Sequence, residues 1–140
     1  MSDPLDEAKA LIDAGRLGEA VAITGPLAAR PDAAHRALAL HSTALKGLGR
    51  RDEALGFDRA AAERFAGSGV AWHNLAATLG DLGRGADAIR AVEKAMSLGL
   101  DGALTWGILA RARAETGALE TAEAAYLQAL RRAPGRIETA

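Results

Sequence analysis

Residues 72–100 read Trp72-His73-Asn74-Leu75-Ala76-Ala77-Thr78-Leu79-Gly80-Asp81-Leu82-Gly83-Arg84-Gly85-Ala86-Asp87-Ala88-Ile89-Arg90-Ala91-Val92-Glu93-Lys94-Ala95-Met96-Ser97-Leu98-Gly99-Leu100. Apolar side chains return every three or four positions, the spacing of one face of a helix. Gly83 breaks the pattern, which then resumes. The stretch therefore predicts a helix, a tight turn and a second helix, with small residues where the helices cross.

The same pattern recurs along the chain. Gly15, Gly49, Gly83 and Gly117 are 34 residues apart, as are Ala20, Ala54, Ala88 and Ala122. Ala8, Ser42, Ala76 and Ala110 form a third column, and Leu27, Ala61, Ala95 and Ala129 a fourth. Each column has a mechanical reason. Glycine enters the left-handed conformation that ends a helix without a Cβ penalty. Small residues let paired helices approach and interdigitate. Between them Leu11, Leu45 and Leu79 fill first helices, and Val21, Leu55 and Ile89 fill second helices.

These columns resemble the tetratricopeptide repeat family, a 34-residue helix–turn–helix with an early aromatic, Leu-Gly near the turn, then small residues and a closing proline. Residues 69–102 match with Trp72, Leu75, Ala76, Leu79, Leu82-Gly83, Ala88, Ile89 and Ala95. Residues 103–136 match with Trp106, Leu109, Ala110, Gly117, Ala122, Tyr126, Ala129, Leu130 and Pro134. The resemblance implies an all-α fold, a right-handed α-solenoid of antiparallel helix pairs. It divides residues 1–136 into four repeats, 1–34, 35–68, 69–102 and 103–136. Residues 137–140 then open a further helix, so the chain reads as truncated. Helices are expected at 4–14, 17–29, 33–48, 51–65, 69–82, 85–98, 103–116 and 119–132. Trp72 is expected in the core between units. Departures from the family pattern are informative. Pro4 and Glu7 suit a polar N-terminal end, with Asp3 as N-cap. His41 and Asp58 fall in usually apolar slots and predict looser packing. Arg113 and Glu123 take usually apolar positions of the last unit and predict that its last layer is incompletely buried.

Composition narrows the function. Half the chain is apolar but only 4% is aromatic, and the net charge is −1. An alanine-rich composition favours helix and argues against a β-sandwich. Near-neutrality gives no electrostatic case for nucleic acid or a membrane surface. With no cysteine, disulfides and Cys-based zinc sites are excluded. The start lacks the features of a signal peptide, and no apolar run approaches the roughly 18 residues of a membrane span. A soluble, cytoplasmic, bacterial protein is expected.

Catalysis finds little support. No nucleophile elbow, phosphate loop or dinucleotide fingerprint is present, so no cofactor and no enzymatic activity are expected. His35 and His41 are six apart, on different helix faces, whereas a helical two-histidine zinc site needs four. His41 reads as a partly buried packing residue.

Binding is the stronger case. Stacked helix pairs curve, so first helices line a concave face. In the family this chain resembles, ligand contacts come from the second, fifth, ninth and twelfth positions of each unit. The resemblance thus points to Lys9, Arg36, Thr43, Lys46, His73 and Arg111, with Asn74 beside them. Ala39, Ala77, Gly80, Gly107 and Ala114 would leave room for a ligand backbone. Lys9, Arg36, Lys46 and Arg111 would bias the groove positive, so a peptide with acidic or carboxylate groups is the expected partner. The carboxylate clamp of chaperone-binding family members is not matched. Its five slots hold Leu5, Lys9, Leu40, Val70 and Asn74. The chain reads as a protein- or peptide-binding scaffold. The alternative is an N-terminal segment of a larger enzyme, a transferase or oxygenase, that positions a polypeptide substrate or mediates assembly. Tyr126, Leu127 and Leu130, uncovered at the C-terminal end, add self-association as a third expectation.

Overall fold

A computed structural model describes residues 3–133. Eight helices account for most of them: α1 (Pro4–Asp13), α2 (Leu17–Ala28), α3 (His35–Gly47), α4 (Arg51–Arg64), α5 (Gly69–Asp81), α6 (Gly85–Ser97), α7 (Ala103–Glu115) and α8 (Leu119–Arg132). No strand occurs among the described residues. The helices match the sequence-based bounds to within two residues at each end. The largest shift is at α3. Ala33 is held in a turn instead, its N–H bonded to the Arg30 carbonyl at 3.1 Å and its own carbonyl taken by Arg64 Nη1 at 2.6 Å. The expected start of a further helix at 137–140 lies outside the described residues.

Two compact units divide the chain, Met1–Ala66 and Gly67–Ala140. In the first, α1 packs on α2 and α3, α2 on α3, and α3 on α4. In the second, α5 packs on α6 and α7, α6 on α7, and α7 on α8.

The turn glycines behave as the spacing requires. Gly15, Gly49, Gly83 and Gly117 have φ of +77°, +79°, +74° and +86°. After each, one N–H reaches back to a carbonyl five residues earlier. The pairs are Arg16 to Leu11 at 2.8 Å, Arg50 to Leu45 at 2.8 Å, Arg84 to Leu79 at 2.9 Å and Ala118 to Arg113 at 2.8 Å. With the glycine's own N–H on the carbonyl three residues back, this closure satisfies carbonyls that a helix end would leave orphaned. At the chain start, Asp3 accepts the Leu5 N–H at 2.8 Å ahead of Pro4, the N-cap its sequence predicts.

The interior is built from the small columns. Ala8, Ser42, Ala76 and Ala110 are buried, as are Ala20, Ala54, Ala88 and Ala122. Leu45, Leu55, Leu79 and Val92 fill the space between them, whereas Leu11, Val21 and Ile89 are only half-buried. Trp72 is half-buried on α5. The His41 slot is filled, not loose. His41 is 6% exposed, its Nδ1 lies 2.8 Å from Thr24 Oγ1, and its ring meets the edge of Phe57 at 4.5 Å. Burial lowers its pKa first, with the Arg50 charge acting in the same direction. Asp58 is also buried. On α8, Glu123 is exposed, and Tyr126, Leu127 and Leu130 are each nearly half exposed.

Candidate functional site

The residues singled out from the sequence fall on two first-helix faces, α1 with α3 and α5 with α7. On the first, Arg36 Nη2 bridges to Asp6 Oδ1 at 2.8 Å, and Lys9 Nζ pairs with Asp13 Oδ2 at 2.8 Å. Thr43 donates its hydroxyl to the Ala39 carbonyl at 2.9 Å, one turn back on its own helix. Lys46 sits half-buried in the last turn of α3, where a cation suits the negative end of the helix dipole.

On the second face, His73 Nδ1 lies 3.0 Å from Thr105 Oγ1, joining α5 to α7 through a buried threonine. Asn74 is half-buried beside it. Arg111 reaches Asp81 at 3.1 Å and Glu115 at 3.6 Å. Gly80 does not leave open room for a ligand: a Cβ there would stand 2.7 Å from Arg111 Nη2. Three of the four cations expected to face a ligand thus already have carboxylate partners within the chain. The acids that neutralise them, Asp6, Asp13, Asp81 and Glu115, were missed from sequence. Two pairs link residues 30 apart (Asp6 with Arg36, Asp81 with Arg111), one helical turn short of the 34-residue period.

Two depressions flank Leu104, which is 79% exposed. One, of about 270 Å³, lies between α5 and α7 and is lined by Ala77, Asp81, Leu104, Gly107, Ile108 and Arg111. The other, of about 500 Å³, is walled by Val70, His73, Leu100, Leu104, Thr105 and Arg132. Small and apolar side chains dominate both, with a few polar groups at the edges. Arg132 is fixed from several sides. Its guanidinium lies 5.0 Å over the Trp106 ring and 3.1 Å from Asp101, which also accepts the Trp106 indole N–H at 2.8 Å. That indole bond, and then Arg132, hold the Asp101 carboxyl below its ordinary pKa. Among the described residues no cluster of three or more metal-ligating side chains occurs, and no helix is long and apolar enough to cross a membrane.

Gly107 was expected to make room and does. A Cβ added there would meet nothing within 4 Å. It sits inside α7, where glycine costs about 1 kcal/mol relative to alanine, and no neighbouring group requires it.

The tetratricopeptide repeat family model matches residues 103–136. No curated protein matches the sequence. Among solved structures, MamA from Desulfovibrio magneticus RS-1 superposes with a TM-score of 0.81 at 18% identity, over 99% of this chain and 80% of that one. A second MamA crystal structure gives 0.79 at 17% identity, over 96% of this chain and 74% of that one. At these identities the likeness concerns the fold. The match shows a tetratricopeptide repeat at residues 103–136, and the 34-residue columns, the recurring glycine turns and the paired helices fit a tandem array of units of that kind.

Proposed function

We propose that this chain is a non-catalytic protein-interaction module and that the α5–α7 face seats an apolar side chain of a peptide partner. The observation that carries this reading is the recess beside Leu104. Its floor is kept low by Gly107, a helix-interior glycine with open space above it. Ala77 and Gly107 let a partner's backbone come close, while Leu104 and Ile108 supply the apolar walls. Burying one leucine-sized anchor there would contribute about 1.5–3 kcal/mol. The face is pre-organised on two packed helices, so little ordering is lost on binding. His73 stands at the neighbouring depression as an orienting polar group.

The test is a peptide array probed with the wild-type chain and with Gly107→Leu, which fills the recess without touching the core. Peptides retained by the wild type should share a bulky apolar residue and lose affinity roughly tenfold against the variant. Gly56 serves as control: it too is open above its Cα but lines neither depression. Gly56→Ala should bind as the wild type does. Equal binding by Gly107→Leu, with its helicity unchanged, would sink the proposal.

A further inference from the structure

Helix α8 carries a second apolar surface. Leu119 is 68% exposed, and Tyr126, Leu127 and Leu130 are each nearly half exposed. With Glu123 among them, these positions fall on one stripe of the helix, away from Ala122 and Ala125, which are buried. None of them lines either depression beside Leu104.

The charges along this stripe have an order. Glu120 lies in the first turn of α8 and Arg131 in the last, and both are exposed. They are 11 residues apart, about three helical turns, so they lie on the same flank. Leu119 and Leu130 are also 11 apart, so the apolar stripe and its charged flank share nearly the same midpoint, beside Tyr126. Arg132 is turned elsewhere, over Trp106 and against Asp101. A two-fold axis through that midpoint lays α8 antiparallel to α8 of a second copy, apolar stripe on apolar stripe. It sets each Glu120 opposite Arg131 of the other copy, so acid meets base twice. A parallel pair would put like charge beside like, and a partner of a single sign would meet repulsion at one end.

We infer that the α8 stripe is covered by a second copy of this chain, in an antiparallel two-fold contact of α8 on α8. Such a contact is isologous and closes at two copies. The positive end of each helix dipole also lies beside the negative end of the other. One helix pair is a small interface, and Glu123 brings a charge into it. The dimer is therefore weak and exchanges with monomer.

Sedimentation equilibrium of the whole chain tests this, from about 5 to about 500 µM, a range that brackets a weak dimer. The average mass should rise from one chain toward two and no further. Glu120→Lys and Arg131→Glu each place like charges at both ends of the contact and should weaken dimerisation about tenfold. An equimolar mixture of these two variants restores opposite charges at both ends and should dimerise as the wild type does. Leu130→Ser should leave only monomer, with helicity unchanged by circular dichroism. A wild type that stays monomeric overturns the inference and leaves the stripe to a different protein. Growth beyond two copies, or a mixture that does no better than its components, overturns the two-fold contact.

Discussion

Arg111 reaches Asp81 by crossing Gly80: its Nη2 lies 3.1 Å from the Asp81 carboxylate and 2.7 Å from where a Cβ on residue 80 would stand. The absent side chain at position 80 is what lets a residue of α7 clamp the end of α5. Gly80→Ala should push the guanidinium aside. The gain in helix propensity, about 0.5–1 kcal/mol, and the loss of an exposed ion pair, about 0–1 kcal/mol, should nearly cancel. The informative measurement is a double-mutant cycle. Asp81→Asn should cost about 0.5 kcal/mol in the wild-type background and nothing measurable in Gly80→Ala. A full cost in both backgrounds would show that the crossing does not matter.

Gly107 should respond oppositely to its neighbour. With nothing within 4 Å of the added Cβ, Gly107→Ala should stabilise the chain by about 0.5–1 kcal/mol, a rise of roughly 2–4 °C in Tm. A Tm unchanged or lowered in differential scanning calorimetry would mean that the glycine has a structural duty.

The turn glycines should be the least tolerant. Gly83 has φ +74°, and an L side chain in that region costs about 1–2 kcal/mol. Gly83→Ala should therefore lower the urea midpoint, while Gly67→Ala, in a turn without positive φ and with open space around it, should barely move it.

His41 sets a pH dependence for the first unit. Its folded pKa lies below the ordinary 6.5, because burial and Arg50 disfavour the charged ring. The unfolded chain thus takes up the proton first. Stability is full above about pH 6.5, falls as the pH drops from there toward the folded pKa, and levels off below it. Urea midpoints between pH 7.5 and 5 should trace that fall, and His41→Leu should flatten it. Thr24→Val removes the hydroxyl 2.8 Å from the buried Nδ1 and should cost about 1–3 kcal/mol at pH 7.5.

The fold was legible because it is written in residue types that leave little choice. Gly15, Gly49, Gly83 and Gly117 announce left-handed turns, and the alanine columns announce helix crossings that admit nothing larger. The site was harder to read. Leu104 and Gly107 fall at the second and fifth positions of residues 103–136, both contact positions in the family, yet neither carries the charge that marks a site residue in a sequence. Family positions say which residues face outward; they do not say which are already engaged. Lys9, Arg36 and Arg111 each meet an acid. Two of those acids sit on a neighbouring helix 30 residues away, a spacing that single-helix patterns do not examine. His73 with Thr105 is hidden in the same way, 32 residues apart.

The alanine-built interior also changes how the protein can be dissected. Ala8, Ala20, Ala54, Ala76, Ala88 and Ala110 have no accessible surface at all. A scan that truncates side chains would pass over these positions in silence, since nothing remains to remove. Here the revealing experiment is addition. A methyl or two placed at each column, as in Ala88→Val, would map the helix crossings by the steric crowding it meets. It would report on the backbone approach itself, the property from which this architecture is made.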